Sequence, residues 1–173
     1  MTANWEQSLK DRLSLFGHRN WIVIADSAYP AQSSGGIETI VANDEQTAVL
    51  ARTLAVLDEC KHIKPNIYTD QELSFVPEKD APGVSSYREQ LRGLFNGCEV
   101  RSLPHDEIIG RLDKVGETFR VLLVKTNMRI PYTSVFFELE CGYWNAEAED
   151  RLRAAMRASA RNGDRNMASN VSR

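Results

Sequence analysis

GHRNWIVIADSAYPAQSSGG, residues 17–36, runs from a glycine and a histidine, through a short apolar strand, to an aspartate and a loop of small and polar residues. The strand Trp21–Ala25 has no polar position, which is the pattern of a strand covered on both faces. Such strands belong to open α/β sheets, where polar side chains just past the carboxyl ends converge on a shared crevice. Asp26 stands at such an end.

Working outward, Trp5, Leu9, Leu13 and Phe16 recur at helical spacing, with Gly17 read as the residue that terminates that helix. Downstream, residues 27–36 read as loop and IETIV as a second, shorter strand. Asn43 is placed to cap a helix with a stripe of Val49, Leu50, Leu54 and Leu57, closed by Pro65, and NIYT resumes as strand. Residues 70–83, with Pro77 and Pro82, form the longest irregular stretch and a candidate lid. Ser86 and Glu89 have capping-box spacing ahead of Leu91, Leu94 and Phe95, and CEVRSL follows as a strand. Pro104 and His105 then lead into the helix DEIIGRLDKV, FRVLLVK is a buried strand, residues 127–131 turn, and YTSVFFELE alternates like an antiparallel last strand. The alternation of strands and helices predicts a single α/β domain over residues 1–144, three layers deep (α/β/α), with a mostly parallel, mixed sheet. Residues 145–173 form an extension: an Ala- and Arg-rich helix to Arg161 with a thin stripe of Ala148, Leu152, Ala155 and Met156, then a tail, NGDRNMASNVSR, expected to be disordered.

The chain of 173 residues, 42% hydrophobic, is long enough to bury a core of its own. Its formal charge of -3 gives no support to a nucleic-acid partner. Cys60, Cys98 and Cys141 are far apart and odd in number, which argues against a disulfide framework or a zinc site and for a reducing cytoplasm. The N-terminus does not read as a secretory signal, and no run has the length of a membrane span. No P-loop, dinucleotide fingerprint, His-Glu-x-x-His or Gly-x-Ser-x-Gly is present, so nucleotide chemistry is disfavoured and no cofactor or metal is expected.

Asp26, His105 and the turn carrying Arg129 fall at or just beyond the carboxyl ends of separate expected strands, and His18 and Tyr132 flank two of them. Histidine, aspartate, arginine and tyrosine suit proton transfer and hydroxyl recognition. Each has a plainer reading. His18 reads equally as a cation at a helix end, Asp26 as a turn residue bonded to its own loop, His105 as a helix cap, Arg129 as surface and Tyr132 as core. His62, among lysines, reads as a helix-end residue, and the cysteines as small core residues.

Phe16-Gly17-His18, the strand, and Asp26-Ser27-Ala28-Tyr29-Pro30 resemble the opening motif of the D-ribose pyranase / L-fucose mutarotase family. The continuation Pro30-Ala31-Gln32-Ser33-Ser34-Gly35 looks like the fucose branch, His105 looks like the ribose branch, and Arg129 and Tyr132 match the closing motif. Ser134 stands where the family has asparagine, Asn127-Met128 replaces Gly-Glu, and the chain continues past Gly142, where members usually end. The resemblance implies a cytoplasmic homo-oligomer, often a decameric ring, with sites at subunit interfaces. It implies a cofactor-independent isomerase that interconverts anomers, or pyranose and furanose forms, of a ribose-like or fucose-like monosaccharide. Carried over by position, His18 is the general acid/base, Asp26 its orienting partner, and His105, Arg129, Tyr132 and Ser134 hold sugar hydroxyls.

Overall fold

The structure, a computed structural model, describes residues 5–170. In chain order the elements are α1 (Trp5–Leu13), β1 (Trp21–Ala25), β2 (Ile37–Val41), α2 (Gln46–Glu59), β3 (Ile63–Asp70), a 3-10 turn (Gln71–Ser74), α3 (Val84–Leu94), β4 (Val100–Leu103), α4 (His105–Thr118), β5 (Val121–Lys125), β6 (Val135–Cys141) and α5 (Ala146–Asn170). The six strands form one sheet in the order β2-β5-β1-β6-β3-β4. β1, β2 and β5 pair in parallel, as do β3 and β4, and β6 runs antiparallel between β1 and β3. Five strands therefore share one direction and only β6 is reversed. The consequence for function is direct, because the carboxyl ends of five strands and the start of β6 all lie on one edge of the sheet.

Neighbouring strand residues face opposite layers. Ile22, Ile24 and Phe137 pack with Leu9 and Leu13 of α1, Val49, Leu50 and Leu57 of α2, and Val84, Tyr87 and Leu91 of α3. Trp21, Val23 and Phe136 pack with Ile108 and Leu112 of α4. The three layers expected from sequence are present, with α1, α2 and α3 on one face and α4 on the other. Full burial of each such Leu, Ile or Phe contributes about 1.5–3 kcal/mol, so the central strands anchor the fold. α4 lies so close to the start of β2 that a Cβ on Gly36 would sit 2.0 Å from the Gly116 carbonyl oxygen. Glycine is required there.

Several local expectations are corrected. α1 ends at Leu13, and Gly17 lacks the left-handed backbone of a terminating residue; His62 caps that end instead, with Nε2 3.2 Å from the Leu13 carbonyl and 3.1 Å from that of Phe16. Asn43 is not the cap of α2, which starts at Gln46 after Glu45; Asn43 takes a left-handed turn, φ 55°. Pro65 does not close α2 but lies inside β3, opposite Leu139. Leu139 bonds through its N–H and carbonyl toward Asn20 and Arg19, so Pro65, facing the other way, needs no N–H: β4 pairing begins only at Ile67. Ser86 lies within α3 rather than at its cap, and the carboxylate of Glu78 accepts from the N–H groups of Gly83 and Ser85 at 2.6 and 2.9 Å. Gly83, φ 95°, makes the entry turn. Finally, α5 runs to Asn170, past residue 162 where a disordered tail was expected to begin, and residues 171–173 of that tail lie outside the described residues.

Candidate active site

A cleft of about 510 Å³ opens at the carboxyl edge and is lined by Asp26, Tyr29, Gln32, His105, Arg129 and Tyr132, among others. Its size falls within the range of about 300–1,000 Å³ usual for small-molecule sites. Each side chain reaches it for a local reason. Asp26 follows β1 and is half-buried; its Oδ1 accepts from the Ala28 N–H at 2.8 Å, so the turn-forming role read from sequence is real and coexists with the cleft position. His105 is the first residue of α4, and its backbone N–H donates to both carboxylate oxygens of Glu72, 3.0 Å each. Tyr132 stands edge-on to the His105 ring, centroids 5.5 Å apart at 82°. Its φ of 58° is a left-handed backbone that a tyrosine adopts at a cost, as residues in binding sites often do.

The loop that carries Arg129 and Tyr132 hangs on a buried polar network. The Gln46 amide nitrogen donates to Tyr87 Oη at 2.7 Å and to the Thr133 carbonyl. Tyr87 Oη donates to the same carbonyl at 2.7 Å, and Thr126 Oγ1 lies 2.9 Å from Gln46 Oε1 and 3.0 Å from the Ala25 carbonyl. Removing one member would leave buried polar groups unpaired, at about 1–3 kcal/mol each.

Behind His105 lies a residue that sequence reading passed over. Asp70 ends β3 with its side chain fully buried and its Oδ1 3.1 Å from His105 Nδ1. Burial pushes its carboxyl up to about 6; Glu72 and Asp26 add to the rise, and His105 opposes it. Tyr29 presents a second buried polar group; burial, with Asp113, Asp70 and Asp26 nearby, raises its phenol, and Gln32 opposes the rise. The strand-end rule that singled out Asp26 applies equally to Asp70; reading the strand as NIYT left Asp70 at the head of the irregular stretch. Tyr29 and Gln32 lay in the opening loop without a distinguishing pattern.

The expected residues divide. Asp26, His105, Arg129 and Tyr132 come together in the cleft. Ser134 is buried and does not line it. His18 precedes β1 and lies at the opposite, amino edge, in a cleft of about 850 Å³ shared with Arg19, Lys64, Glu138 and Trp144. Five strand residues separate it from Asp26, roughly 16 Å at about 3.3 Å per residue. Within one chain the two do not meet. Among the described residues no cluster of three or more His, Cys, Asp or Glu side chains could hold a metal, and no helix is long and apolar enough to cross a membrane.

Three solved structures superpose on this architecture. Bacillus subtilis RbsD complexed with D-ribose matches over 77% of this chain and 91% of its own, at 21% identity and TM-score 0.52. The fucose mutarotase from Streptococcus pneumoniae, in complex with L-fucose, matches over 81% and 96%, at 19% identity and TM-score 0.54. The chain has their fold. FucU from Bifidobacterium longum matches over 78% and 92%, at 15% identity and TM-score 0.52. No protein-family model matches the chain, and no curated protein matches its sequence.

Proposed function

We propose that the carboxyl-edge cleft binds a free monosaccharide, ribose-like or fucose-like, and interconverts its anomeric or ring forms by general acid/base ring opening. The observation that carries this is the meeting of Asp26, His105, Arg129 and Tyr132 in one cleft of small-molecule size. Ring opening moves a proton off the anomeric hydroxyl and puts one on the ring oxygen, and an imidazole near pH 7 can do both without a metal or redox cofactor. Arg129 donates and Tyr132 donates or accepts, as sugar hydroxyls require. In this reading the protein is a cytoplasmic homo-oligomer, and His18 enters the chemistry from a neighbouring copy, since its own chain holds it at the far edge. A ring, a decamer among the options, would bring amino and carboxyl edges of adjacent copies together.

A second reading has its own support. Ser134, buried and outside the cleft, stands where the family resemblance would place an asparagine, and one Asp26 oxygen is engaged by its loop. Both favour a protein that binds a monosaccharide without turning it over.

Saturation-transfer NMR of anomer exchange, with ribose, fucose and galactose and with wild type against Asp26→Asn, separates the two. Exchange accelerated for one sugar and reduced at least about tenfold by the substitution supports catalysis. A sugar that raises the melting temperature without faster exchange supports binding alone, because a ligand of the native state stabilises it. Neither effect with any sugar refutes both.

A further inference from the structure

Asp70 is a buried carboxyl group aimed at the back of the cleft histidine. Its side chain has no exposed surface, and its near neighbour is Nδ1 of His105, 3.1 Å from Oδ1. Nδ1 is itself sealed from solvent, yet a third of the His105 side chain is exposed. That exposure therefore belongs to the opposite edge of the ring, which carries Nε2 and lines the cleft. The ring has little freedom to turn over. Glu72 holds the backbone at the start of α4, and Tyr132 stands against the imidazole.

We propose that Asp70 is a positioning residue: it engages the Nδ1 side of His105, fixes the tautomer with the proton there, and leaves Nε2 as the atom that exchanges protons with the ligand in the cleft. A buried carboxyl group with one ring nitrogen at hand is stabilised by sharing that nitrogen's proton. The charged groups around the pair are Glu72 from the 3-10 turn and Asp26 from the loop after β1, both acidic, and they favour keeping a proton between Asp70 and His105. The step balances. Nε2 takes the proton of the anomeric O–H, the bond from C1 to the ring oxygen breaks with its electron pair staying on oxygen, and the imidazolium returns that proton to the ring oxygen. Closure on the other face of the carbonyl reverses these transfers, and the protein ends as it began. The nature of the ligand rests on the monosaccharide reading; the tautomer does not.

The test is long-range 1H–15N correlation of the imidazoles in the 15N-labelled full chain at pH 8. The chain has three histidines, and a His105→Gln spectrum assigns the relevant one by difference. The expected result is His105 protonated at Nδ1 and bare at Nε2, and a switch toward the Nε2–H form that dominates free histidine in Asp70→Leu. Asp70→Asn, which retains a carbonyl acceptor, should keep the tautomer while lowering kcat for any sugar turned over, with KM little changed. A wild-type His105 in the Nε2–H form, or an Asp70→Leu spectrum identical to wild type, overturns the proposal. If the tautomer behaves as expected and no sugar is turned over, the monosaccharide reading fails and the role of Asp70 stands.

Discussion

The two edges of the sheet make an instructive pair. The amino edge has the larger cleft, about 850 Å³ with His18, Arg19, Lys64, Glu138 and Glu140, and none of the polar atoms lining that cleft is among the buried ones left without a partner. The carboxyl edge has the smaller cleft, about 510 Å³, and there the buried polar atoms of Tyr29, His105 and the adjoining Asp70 have at most one another and Gln32 to bond with, whereas at the amino edge Trp21 Nε1, at the start of β1, is the buried polar atom left over. Volume alone would favour the amino edge. A polar group held out of water without a partner costs free energy, and such costs concentrate where a ligand will supply what is missing. On the function proposed above, the chemistry belongs to the edge where protons have few other places to go.

The sharpest way to break this contrast is to remove one histidine from each edge. His105→Ala should slow anomer exchange by about 10²–10⁴-fold, the usual contribution of a general acid/base group, as read by saturation transfer. His18→Ala alone should be inactive only if neighbouring copies share sites. Mixing and reassembling His18→Ala and His105→Ala subunits should then restore activity, since a site with His105 from one and His18 from the other is intact. Hybrids no more active than their parents place both histidines in one subunit's site and undo the assignment of edges.

A smaller effect is expected in stability against pH. The carboxyl of Asp70 is raised from its ordinary 3.8 to about 6, so between those values the folded chain holds a proton that the unfolded chain has lost. Its contribution to stability is therefore fully present below about pH 4, declines as pH rises through the window, and is gone above about pH 6. At about 1.4 kcal/mol per pKa unit the decline is on the order of 3 kcal/mol. Denaturant titrations of wild type minus Asp70→Asn across pH 4–7 should show this slope; a flat difference would mean that Asp70 is not held out of water.

Smaller again, Gln46→Leu should lower stability by about 2 kcal/mol by removing the hydrogen bonds that Gln46 makes to Tyr87, the Thr133 carbonyl and Thr126, although Tyr87 keeps its bond to that carbonyl and Thr126 its bond to the Ala25 carbonyl. Chemical denaturation measures it, and a loss of sugar affinity in the still-folded variant would tie the network to the loop bearing Arg129 and Tyr132. Affinity unchanged at reduced stability would leave the network purely structural.

Much of this was legible in the chain. The unbroken apolar strands Trp21–Ala25 and Val121–Lys125 announced a sheet covered on both faces, and Asp26 and His105 were found because strand ends are where such sheets do chemistry. What the one-dimensional pattern withheld was order: nothing local says that β6 inserts between β1 and β3, and that insertion brings the Tyr132 loop to Asp26 and His105. His18 is eight residues from Asp26 in sequence yet across the sheet from it, because the strand between them is fully extended. Gln46 was illegible for another reason. A glutamine in the first turn of a helix looks like solvent-facing polarity until the helix is docked, and only its three partners, distant in sequence, make it a core residue.

The reversed strand β6 also has a bearing on how the molecule comes into being. It is the last strand synthesised and the one that bridges β2-β5-β1 to β3-β4, so a nascent chain that has not yet released it carries two half-sheets with β1 and β3 each exposing an unpaired edge. Those edges are the surfaces most prone to mispair with another chain. Assembly of the sheet, and with it the cleft, must wait for the ribosome to deliver residues 135–141, and long-range pairings of this kind fold slowly.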